Sequence, residues 1–398
     1  MMLQVGVGQS LDADTGHAAR EAVAAAMRRA EINGRANLAI VFATPHHGPQ
    51  ARRLLRTVHQ VSGAIDVVGC SAAGIFTTDG EVEGAAALAV LVMKSSQVTS
   101  TRFFAPNLRH RAQASGEEIG AYLRPALRAQ NVVVLLPDTY NFHGTPLLTA
   151  LREALGDVAF VGGGASEDGS TGETFQLCGN AVSHNAVTGF LLAGRFRFTI
   201  GITQACRPVG PPLTVTRAEG NILFEIDGRP AFQRFREIVP GPLMEDVRRA
   251  VTSVFIGIPA DPKAATLQPG RYVVRNIVGV DPSDGRMAIS HFSGEGQRIN
   301  LVLREPVAAR EDLKRMLAEQ AELWAGGRPA FGLYFNCLAR GQALYGMPDI
   351  DHAYVRQCFG DLPVIGFFSG VEIAPIDGLP FVHQYSGVLL LVGEEMSQ

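Results

Sequence analysis

Two cysteines of this sequence lie at or directly after apolar runs, where a turn would present their side chains. Cys70 lies within 67-VVGCSAAG-74, and Cys337 follows 331-FGLYFN-336. A thiolate nucleophile needs a neighbouring base or positive charge to lower its pKa, and no histidine is adjacent to either cysteine in the sequence. Two interpretations stay open: buried structural thiols, or the nucleophile of a cysteine-dependent hydrolase or transferase.

Glycine-rich turns follow the apolar runs. Gly69 lies in the first turn, and Gly163 and Gly164 lie in 160-FVGGGAS-166. Backbone N–H groups of a tight turn can point at an anion or a carboxylate, although neither the P-loop nor the dinucleotide glycine pattern is present. The alternative is that the glycines only allow close backbone approach. Hydroxyl contacts to a ligand would come from serines at similar places in the three turns: Ser71, Ser166 and Ser369.

Three charged residues are set among apolar neighbours: Arg275, Arg340 and Glu372. An arginine can hold a carboxylate by two parallel hydrogen bonds, and a glutamate can hold an ammonium group. Such a pair would suit an amino-acid ligand. An internal salt bridge without a ligand is the competing interpretation.

The ten histidines show no recognised metal spacing. His46 and His47 lie just beyond the first apolar run, where ligand-facing loops of an α/β sheet gather. Haem ligation by His143, His184 or His383 is a further alternative, and the main expectation is that the chain needs no cofactor.

The elements that position these residues recur three times. One unit contains the apolar run 38-LAIVFA-43, a helical pattern over 49–61, the first glycine turn, an Asp79-Gly80 pair and a second apolar run at 86–93. The same order returns from residues 132 and 331, with Asp168-Gly169 and Asp377-Gly378 at the Asp-Gly position.

Each apolar run lies about 30 residues before its glycine turn, as in a βαβ unit. The pattern therefore predicts an α/β fold of repeated strand–helix–strand–strand units. The first two strands of each unit should be parallel and the third antiparallel, which gives mixed sheets. Thr145 is the expected N-cap of the second helix and Gly156 its end.

The sequence between the second and third of these repeated units has a different pattern. Residues 195–240 and 271–303 contain short strand patterns, with a helix predicted at 242–253. A long amphipathic helix that includes Trp324 is predicted at 308–325. We expect two lobes with a pseudo-duplicated architecture, divided as residues 1–240 and 241–398.

The composition excludes several classes of protein. The chain has 398 residues, a net charge of −3 and 46% hydrophobic residues, so nothing indicates a nucleic-acid or membrane partner. The five cysteines form no CxxC pair, and thiols suit a reducing compartment. Because the N-terminus has no signal-peptide pattern, a cytoplasmic location is expected.

Several motifs, in order along nearly the whole chain, resemble the FIST family in both its N-terminal and C-terminal halves. They are 69-GCSAAG-74, 161-VGGGASEDG-169, 214-TVTRAEGNILFEIDGRPA-231, 336-NCLARG-341 and 365-IGFFSGVEIAP-375. The family turn that usually carries Gly-Glu reads Val371-Glu372 here, and Gly370 could absorb the change.

The resemblance implies a sensory protein of bacterial signal transduction that binds a small ligand, an amino acid or related carboxylate, between its two halves. The output would pass to a separate signalling protein such as a kinase, a cyclase or a chemoreceptor component. A haem-based gas sensor and a cysteine-dependent enzyme are the alternatives, although enzymatic turnover is not the expectation. The predicted ligand-binding residues are Gly69, Cys70, Ser71, Gly163, Gly164, Ser166, Arg275, Asn336, Cys337, Arg340, Phe367 and Glu372.

Overall fold

The computed structural model describes residues 3–239, 241–291 and 294–395. They form two compact units. The first holds the residues up to 202, 314–382 and from 386 onward, and the second holds 203–313 and 383–385.

The first unit contains three modules with one element order, strand–helix–strand–helix followed by four strands. The first module is β1 (Gln4–Ser10), α1 (Thr15–Arg29), β2 (Leu38–Ala43), α2 (Ala51–Ser62), β3 (Asp66–Ser71), β4 (Gly74–Thr77), β5 (Gly80–Glu83) and β6 (Leu88–Lys94). The second is β7 (Val98–Pro106), α3 (Leu108–Leu123), β8 (Gln130–Pro137), α4 (Gly144–Leu155), β9 (Ala159–Gly163), β10 (Gln176–Cys178), β11 (Ala181–Ser183) and β12 (Ala186–Gly194).

The third module has the same order, with the second unit inserted in the sequence after its first strand and one further short helix. Strand β13 is Arg197–Gln204. The inserted elements are β14 (Cys206–Glu219), β15 (Ile222–Ile226), β16 (Arg229–Pro230), α5 (Ala231–Ile238), α6 (Gly241–Met244), α7 (Val247–Ser253), β17 (Val254–Pro259), β18 (Tyr272–Arg275), β19 (Ile277–Val280), β20 (Met287–Ile289) and β21 (Arg298–Arg304). The module continues with α8 (Pro306–Leu323), β22 (Phe331–Cys337), α9 (Gln342–Tyr345), α10 (Ile350–Phe359), β23 (Val364–Ser369), β24 (Glu372–Ile376), β25 (Leu379–His383) and β26 (Ser386–Gly393).

Each module builds four neighbouring strands of one sheet. In the first module the strand order is β1-β6-β2-β3, with β2 and β3 parallel and β6 antiparallel to β2. The equivalent pairs β8–β9 and β22–β23 are parallel, and β12 and β26 are antiparallel to their neighbours. The predicted α/β class with mixed sheets is confirmed.

The remaining two strands of each module form a hairpin that completes the sheet of another module. Hairpin β10–β11 extends the first sheet beside β3, β24–β25 extends the second beside β9, and β4–β5 extends the third beside β23. The three modules are therefore joined in a closed cycle of exchanged hairpins.

The three sheets share one hydrophobic core on their inner faces. Residues of all three modules meet there, and the rings of Phe42 and Phe367 lie 4.5 Å apart. Helices cover the outer faces: α1 and α2 pack on the first sheet, and α3 and α4 on the second. Burial on both faces explains the continuous apolar runs of the strands.

The second unit is a curled sheet in the order β18-β17-β21-β14-β15-β20-β19, with β16 beside β15. Strand β14 reaches 14 residues and bonds to β21 at one end and to β15 at the other. Its register shifts between Val209 and Leu213, around Pro211 and Pro212, because proline cannot donate to the ladder.

Four element predictions were wrong in detail. The N-cap of α4 is His143, and Thr145 lies inside the helix, whereas Gly156 does end it. Asp168-Gly169 lies in a loop, and the hairpin turn of that module is at residues 179–180. Trp324 follows the end of α8. The last strand of each module is preceded by a complete hairpin instead of a single turn, because the hairpin serves a different sheet.

Candidate functional site

A cleft of about 480 Å³ opens at the carboxyl ends of the parallel strands β2 and β3. Ligand sites of α/β sheets gather at this edge, and the volume suits a small molecule. We call it the β2–β3 cleft. It is lined by Pro45, Gly48, Pro49, Ala51, Arg52, Ser71, Thr171, Glu173, Phe175, Val182 and His184.

One wall of the cleft comes from the first module. A 3₁₀ turn at Pro45–Gln50 follows β2 and leads directly into α2. Two prolines fix the backbone φ of this segment. Arg52 is exposed on the first turn of α2.

The other wall comes from the second module through its exchanged hairpin. Ser71 Oγ accepts a hydrogen bond from the N–H of Phe175 at 3.0 Å, and the Ser71 N–H donates to the Phe175 carbonyl at 2.8 Å. Thr174 Oγ1 donates to the buried Asp138 at 2.8 Å. These bonds hold the loop against the end of β3.

The lining combines two opposite charges with an apolar floor. Glu173 and Arg52 are exposed, whereas Phe175 is buried. His184 Nδ1 lies 3.0 Å from the Thr174 carbonyl oxygen and 3.7 Å from Glu173 Oε2. The cleft therefore presents a positive charge, a negative charge and an apolar surface.

Most of the predicted glycine and serine residues lie where the three modules meet, beside the cleft. The N–H of Ser166 donates to the Ser71 carbonyl at 3.1 Å, and Ser166 Oγ donates to the Phe368 carbonyl. The N–H of Gly164 donates to the Val371 carbonyl at 2.8 Å. The Ser166 and Gly164 N–H groups thus already donate to carbonyls of the other modules. These segments therefore join the modules, and the two N–H groups are not free to bind an anion.

Close packing explains three further predicted residues. A Cβ on Gly69 would lie 1.9 Å from the Val41 carbonyl oxygen, and one on Gly163 would lie 2.9 Å from Ser369 Cβ. Phe367 is wholly buried in the shared core. The two glycines therefore allow close packing, and Phe367 is a core residue.

Cys70 is wholly buried, and burial raises the pKa of its thiol well above the usual value. At neutral pH it stays a protonated thiol, which disfavours a nucleophilic role. All five cysteines lie in the described part of the chain and carry thiols.

Glu372 is a wholly buried carboxyl group at the start of β24. Its two oxygens accept from Ser369 Oγ at 2.8 Å and Ser386 Oγ at 2.7 Å, and Cys337 also hydrogen-bonds to it. Burial raises the pKa of Glu372 to about 8, so the carboxyl is largely protonated at neutral pH. Neither Val371 nor Gly370 has a positive φ, so the Val371-Glu372 departure leaves the backbone unstrained.

Arg340 pairs with Asp351 and not with Glu372. Both side chains are wholly buried, and the Arg340 Nε and Nη2 atoms lie 3.0 and 3.1 Å from the two Asp351 oxygens. Asn336, at the end of β22, is also wholly buried. Arg275 belongs to the second unit on β18, where burial lowers the pKa of its guanidinium to about 10.

The sequence indicated Ser71 and His184 but not Arg52, Glu173 or Phe175. The two loops that carry these residues are about 120 positions apart, and only the exchanged hairpin brings them together. No local sequence signal marks that exchange.

The described residues contain no group of three or more histidine, cysteine or acidic side chains placed to hold a metal ion. No helix within the described ranges is both long and apolar enough to cross a membrane.

Fold and cleft together define an α/β protein of three hairpin-exchanged modules with a small-molecule cleft. Models of the FIST N domain and the FIST C domain match residues 37–229 and 231–375. An uncharacterized protein of Mycobacterium bovis is 33% identical over 396 residues, covering 99% of this chain and 100% of the relative. An uncharacterized protein of Mycobacterium tuberculosis is 31% identical over 389 residues, covering 98% and 99%. The chain belongs to the FIST family, whose domains are sensory domains of signal transduction.

A crystal structure of cyanuric acid hydrolase from A. caulinodans aligns with 48% of this chain and 71% of that chain, at 10% identity and a TM-score of 0.29. Similarity at this level carries no inference about fold or function.

Proposed function

We propose that this protein is a sensory protein that binds an amino acid or a related small carboxylate in the β2–β3 cleft and signals to a separate protein. The supporting observation is the cleft itself, about 480 Å³ at the carboxyl ends of two parallel strands with Arg52 and Glu173 on its walls. In this proposal the ligand lies within residues 45–184 and not between the two halves of the sequence.

Each part of an amino acid has a matching group in the cleft. The Arg52 guanidinium offers paired donors to the α-carboxylate, and the Glu173 carboxylate accepts from the α-ammonium group. Phe175 and Val182 give an apolar surface to the side chain. The Ser71 hydroxyl, whose oxygen accepts from the Phe175 N–H, can also donate its proton to the ligand.

Ligand binding is expected to be transmitted through the loop at 171–175. This loop belongs to the second module but contacts the end of β3 in the first. A ligand that draws Arg52 and Glu173 together therefore acts on the contact between two modules. The receiving partner is proposed to be a kinase, a cyclase or a chemoreceptor component.

A thermal-shift screen of the full chain against the twenty L-amino acids and simple carboxylates tests the proposal. A ligand at a hundredfold excess over its Kd stabilises the folded state by about 2.7 kcal/mol. The increase in Tm should disappear in Arg52→Gln and persist in Arg56→Gln, an exposed arginine one turn further along α2 that does not line the cleft.

Glu173→Gln separates the two recognition groups. It should weaken the response to amino acids and spare the response to carboxylates without an ammonium group. A shift that survives both Arg52→Gln and Glu173→Gln, or the absence of any shift, would overturn the proposal. A Soret band in the absorbance spectrum would instead favour the haem-sensor alternative.

A further inference from the structure

The third module has its own counterpart of the β2–β3 cleft. Strands β22 and β23 correspond to β2 and β3, and hairpin β4–β5 corresponds to β10–β11. The equivalent place is filled with buried polar side chains. We define the inner polar site as Tyr334, Asn336, Arg340, Tyr345, Asp351 and Glu81.

Arg340 is held rigidly and keeps one nitrogen unused. Asp351 accepts from its Nε and Nη2 atoms, and Nη2 also lies 2.9 Å from the Tyr345 hydroxyl. The Tyr334 hydroxyl donates to the same Asp351 carboxylate at 2.9 Å. Among the described residues, Arg340 Nη1 has no hydrogen-bond partner although it is buried.

Asn336 adds two more unpaired atoms. Its Oδ1 and Nδ2 atoms are buried and have no partner within the described part of the chain. Side chains alternate along a strand. Phe335 faces the shared core and Tyr334 reaches Asp351 on α10, so Asn336 lies on the Tyr334 face of β22.

Three unpaired, buried polar atoms in one module are unusual. The great majority of buried polar groups have a partner, and an unpaired one destabilises the folded state. A ligand that supplies the missing bonds offsets this cost. An unpartnered, wholly buried amide and an unpartnered guanidinium nitrogen in the same module therefore point to a binding site.

The charges of the site favour a neutral ligand. Asp351 already neutralises Arg340, and Glu81 lies on the hairpin that closes the site, where its carboxyl accepts from the N–H groups of Asp349 and His352 at 3.2 and 2.9 Å. Burial, with Asp351 nearby, raises the pKa of Glu81 to about 8. An added anion would lie among these acidic groups without a cation of its own.

We propose that the inner polar site binds a small neutral molecule that carries a carboxamide or urea group. The Asn336 amide presents a donor and an acceptor in one plane, which match the carbonyl oxygen and N–H of another amide. Arg340 Nη1 donates to the same carbonyl or to a second one. Access requires movement of the one-turn helix α9, which Gly341 and Gly346 flank at φ values of +58° and +73°.

Pairs of amides and acids of equal shape test this inference. L-glutamine, L-asparagine and nicotinamide are compared with L-glutamate, L-aspartate and nicotinate, by thermal shift and by isothermal titration calorimetry on the full chain. In the Arg52→Gln variant, in which the β2–β3 cleft should no longer respond, at least one amide should bind while its acid does not. Asn336→Leu should raise the Kd by about tenfold or more, the effect of one lost hydrogen bond of about 1.4 kcal/mol.

Two controls separate this site from the β2–β3 cleft. Arg52→Gln should leave amide binding at the inner polar site unchanged, and Asn336→Leu should leave the carboxylate response of the cleft unchanged. Without ligand, Asn336→Leu should not lower Tm, because it removes the unpaired amide.

The inference is overturned if no amide binds, or if amide binding survives Asn336→Leu. Should that variant fail to fold, a crystal structure of the wild-type protein grown with the amide decides. Ligand density on Asn336 and Arg340 Nη1 supports the site, and an ordered water there in its place refutes it.

Discussion

At the scale of single residues, one glycine within each of the strands β3, β9 and β23 allows the adjacent parallel strand to approach closely. A Cβ added to Gly69, Gly162 or Gly366 would lie 1.9, 2.0 and 2.0 Å from a carbonyl oxygen of the neighbouring parallel strand. The three glycines occupy the same place in their modules. Their spacing in the sequence therefore reports strand packing more directly than ligand binding.

Gly69→Ala is expected to destabilise the protein by about 3 kcal/mol or more, because the added methyl forces β2 and β3 apart. Urea unfolding followed by circular dichroism measures the loss. Gly279→Ala is the control, since that strand glycine has open space around it and no positive φ. A loss below about 1 kcal/mol for Gly69→Ala would show that the strands do not approach as described.

Glu372 gives the stability a pH dependence. Burial raises the pKa of its carboxyl from 4.5 to about 8 in the folded state. Between these values the folded chain keeps a proton that the unfolded chain has lost, so stability falls as the pH rises through this window. Above about pH 8 the contribution levels off.

Glu372→Gln should reduce the loss of stability between these pH values, by on the order of a few kcal/mol at most. The free energy of unfolding is compared from pH 5 to pH 9 with that of the wild-type protein and of Glu117→Gln, an exposed position on α3. Part of the slope should remain, because burial raises the pKa of Glu81 in the same direction. Parallel curves for Glu372→Gln and the wild-type protein would contradict the assignment.

At the scale of elements, the exchanged hairpins hold the modules together through buried side chains. Phe76 of β4 is wholly buried and lies 5.0 Å, ring to ring, from Tyr334 and 5.9 Å from His352. This hairpin of the first module therefore depends on a strand and a helix of the third.

Phe76→Ala should lower the free energy of unfolding by about 3–5 kcal/mol, as expected for a large-to-small change in a packed core. Leu379→Ala, at 40% exposure on the corresponding hairpin β24–β25, should change it by about 0.5 kcal/mol or less. Thermal and urea unfolding measure both. Equal effects of the two substitutions would mean that hairpin β4–β5 is not anchored by its buried ring.

The sequence predicted the main strands and helices but gave no indication that the modules exchange hairpins. Apolar runs about 30 residues before a glycine turn were enough to predict the three parallel pairs. The hairpin strands β10 and β11 have three residues each, too few for a periodic pattern. The pairing of β10 with β3 joins residues more than 100 positions apart.

In the candidate sites, likewise, residues marked by a local pattern were predicted, and contacts made only in the tertiary structure were not. Ser71 was indicated because it occupies a similar place in its predicted glycine turn to Ser166 and Ser369 in theirs. Arg340 was indicated as a buried charge, but its partner Asp351 lies on a helix whose docking only the tertiary structure defines. Glu173 lies in a polar loop without a pattern, and its approach to Arg52 depends on the hairpin exchange.

At the scale of the whole molecule, the closed cycle of hairpins predicts that the first unit folds only as one piece. Division of the chain at residue 240 removes β22, β23 and β26, the sheet that β4–β5 completes, and also β24–β25, which complete the second sheet. The buried faces and edges of the remaining strands then lose their partners.

The fragment 1–240 is therefore expected not to fold by itself, although it contains the complete match to the FIST N domain. Deletion of residues 206–304 should be tolerated better, although it removes 99 residues from the interior of the chain. These residues are a sequence insertion within one module, and the N–H of Glu305 already donates to the Ala205 carbonyl at 3.0 Å, so a short Gly-Ser linker can join the ends. Amide NMR dispersion and calorimetric unfolding distinguish the two variants. A dispersed spectrum and a cooperative transition for 1–240 alone would show that the hairpin exchange is dispensable for folding.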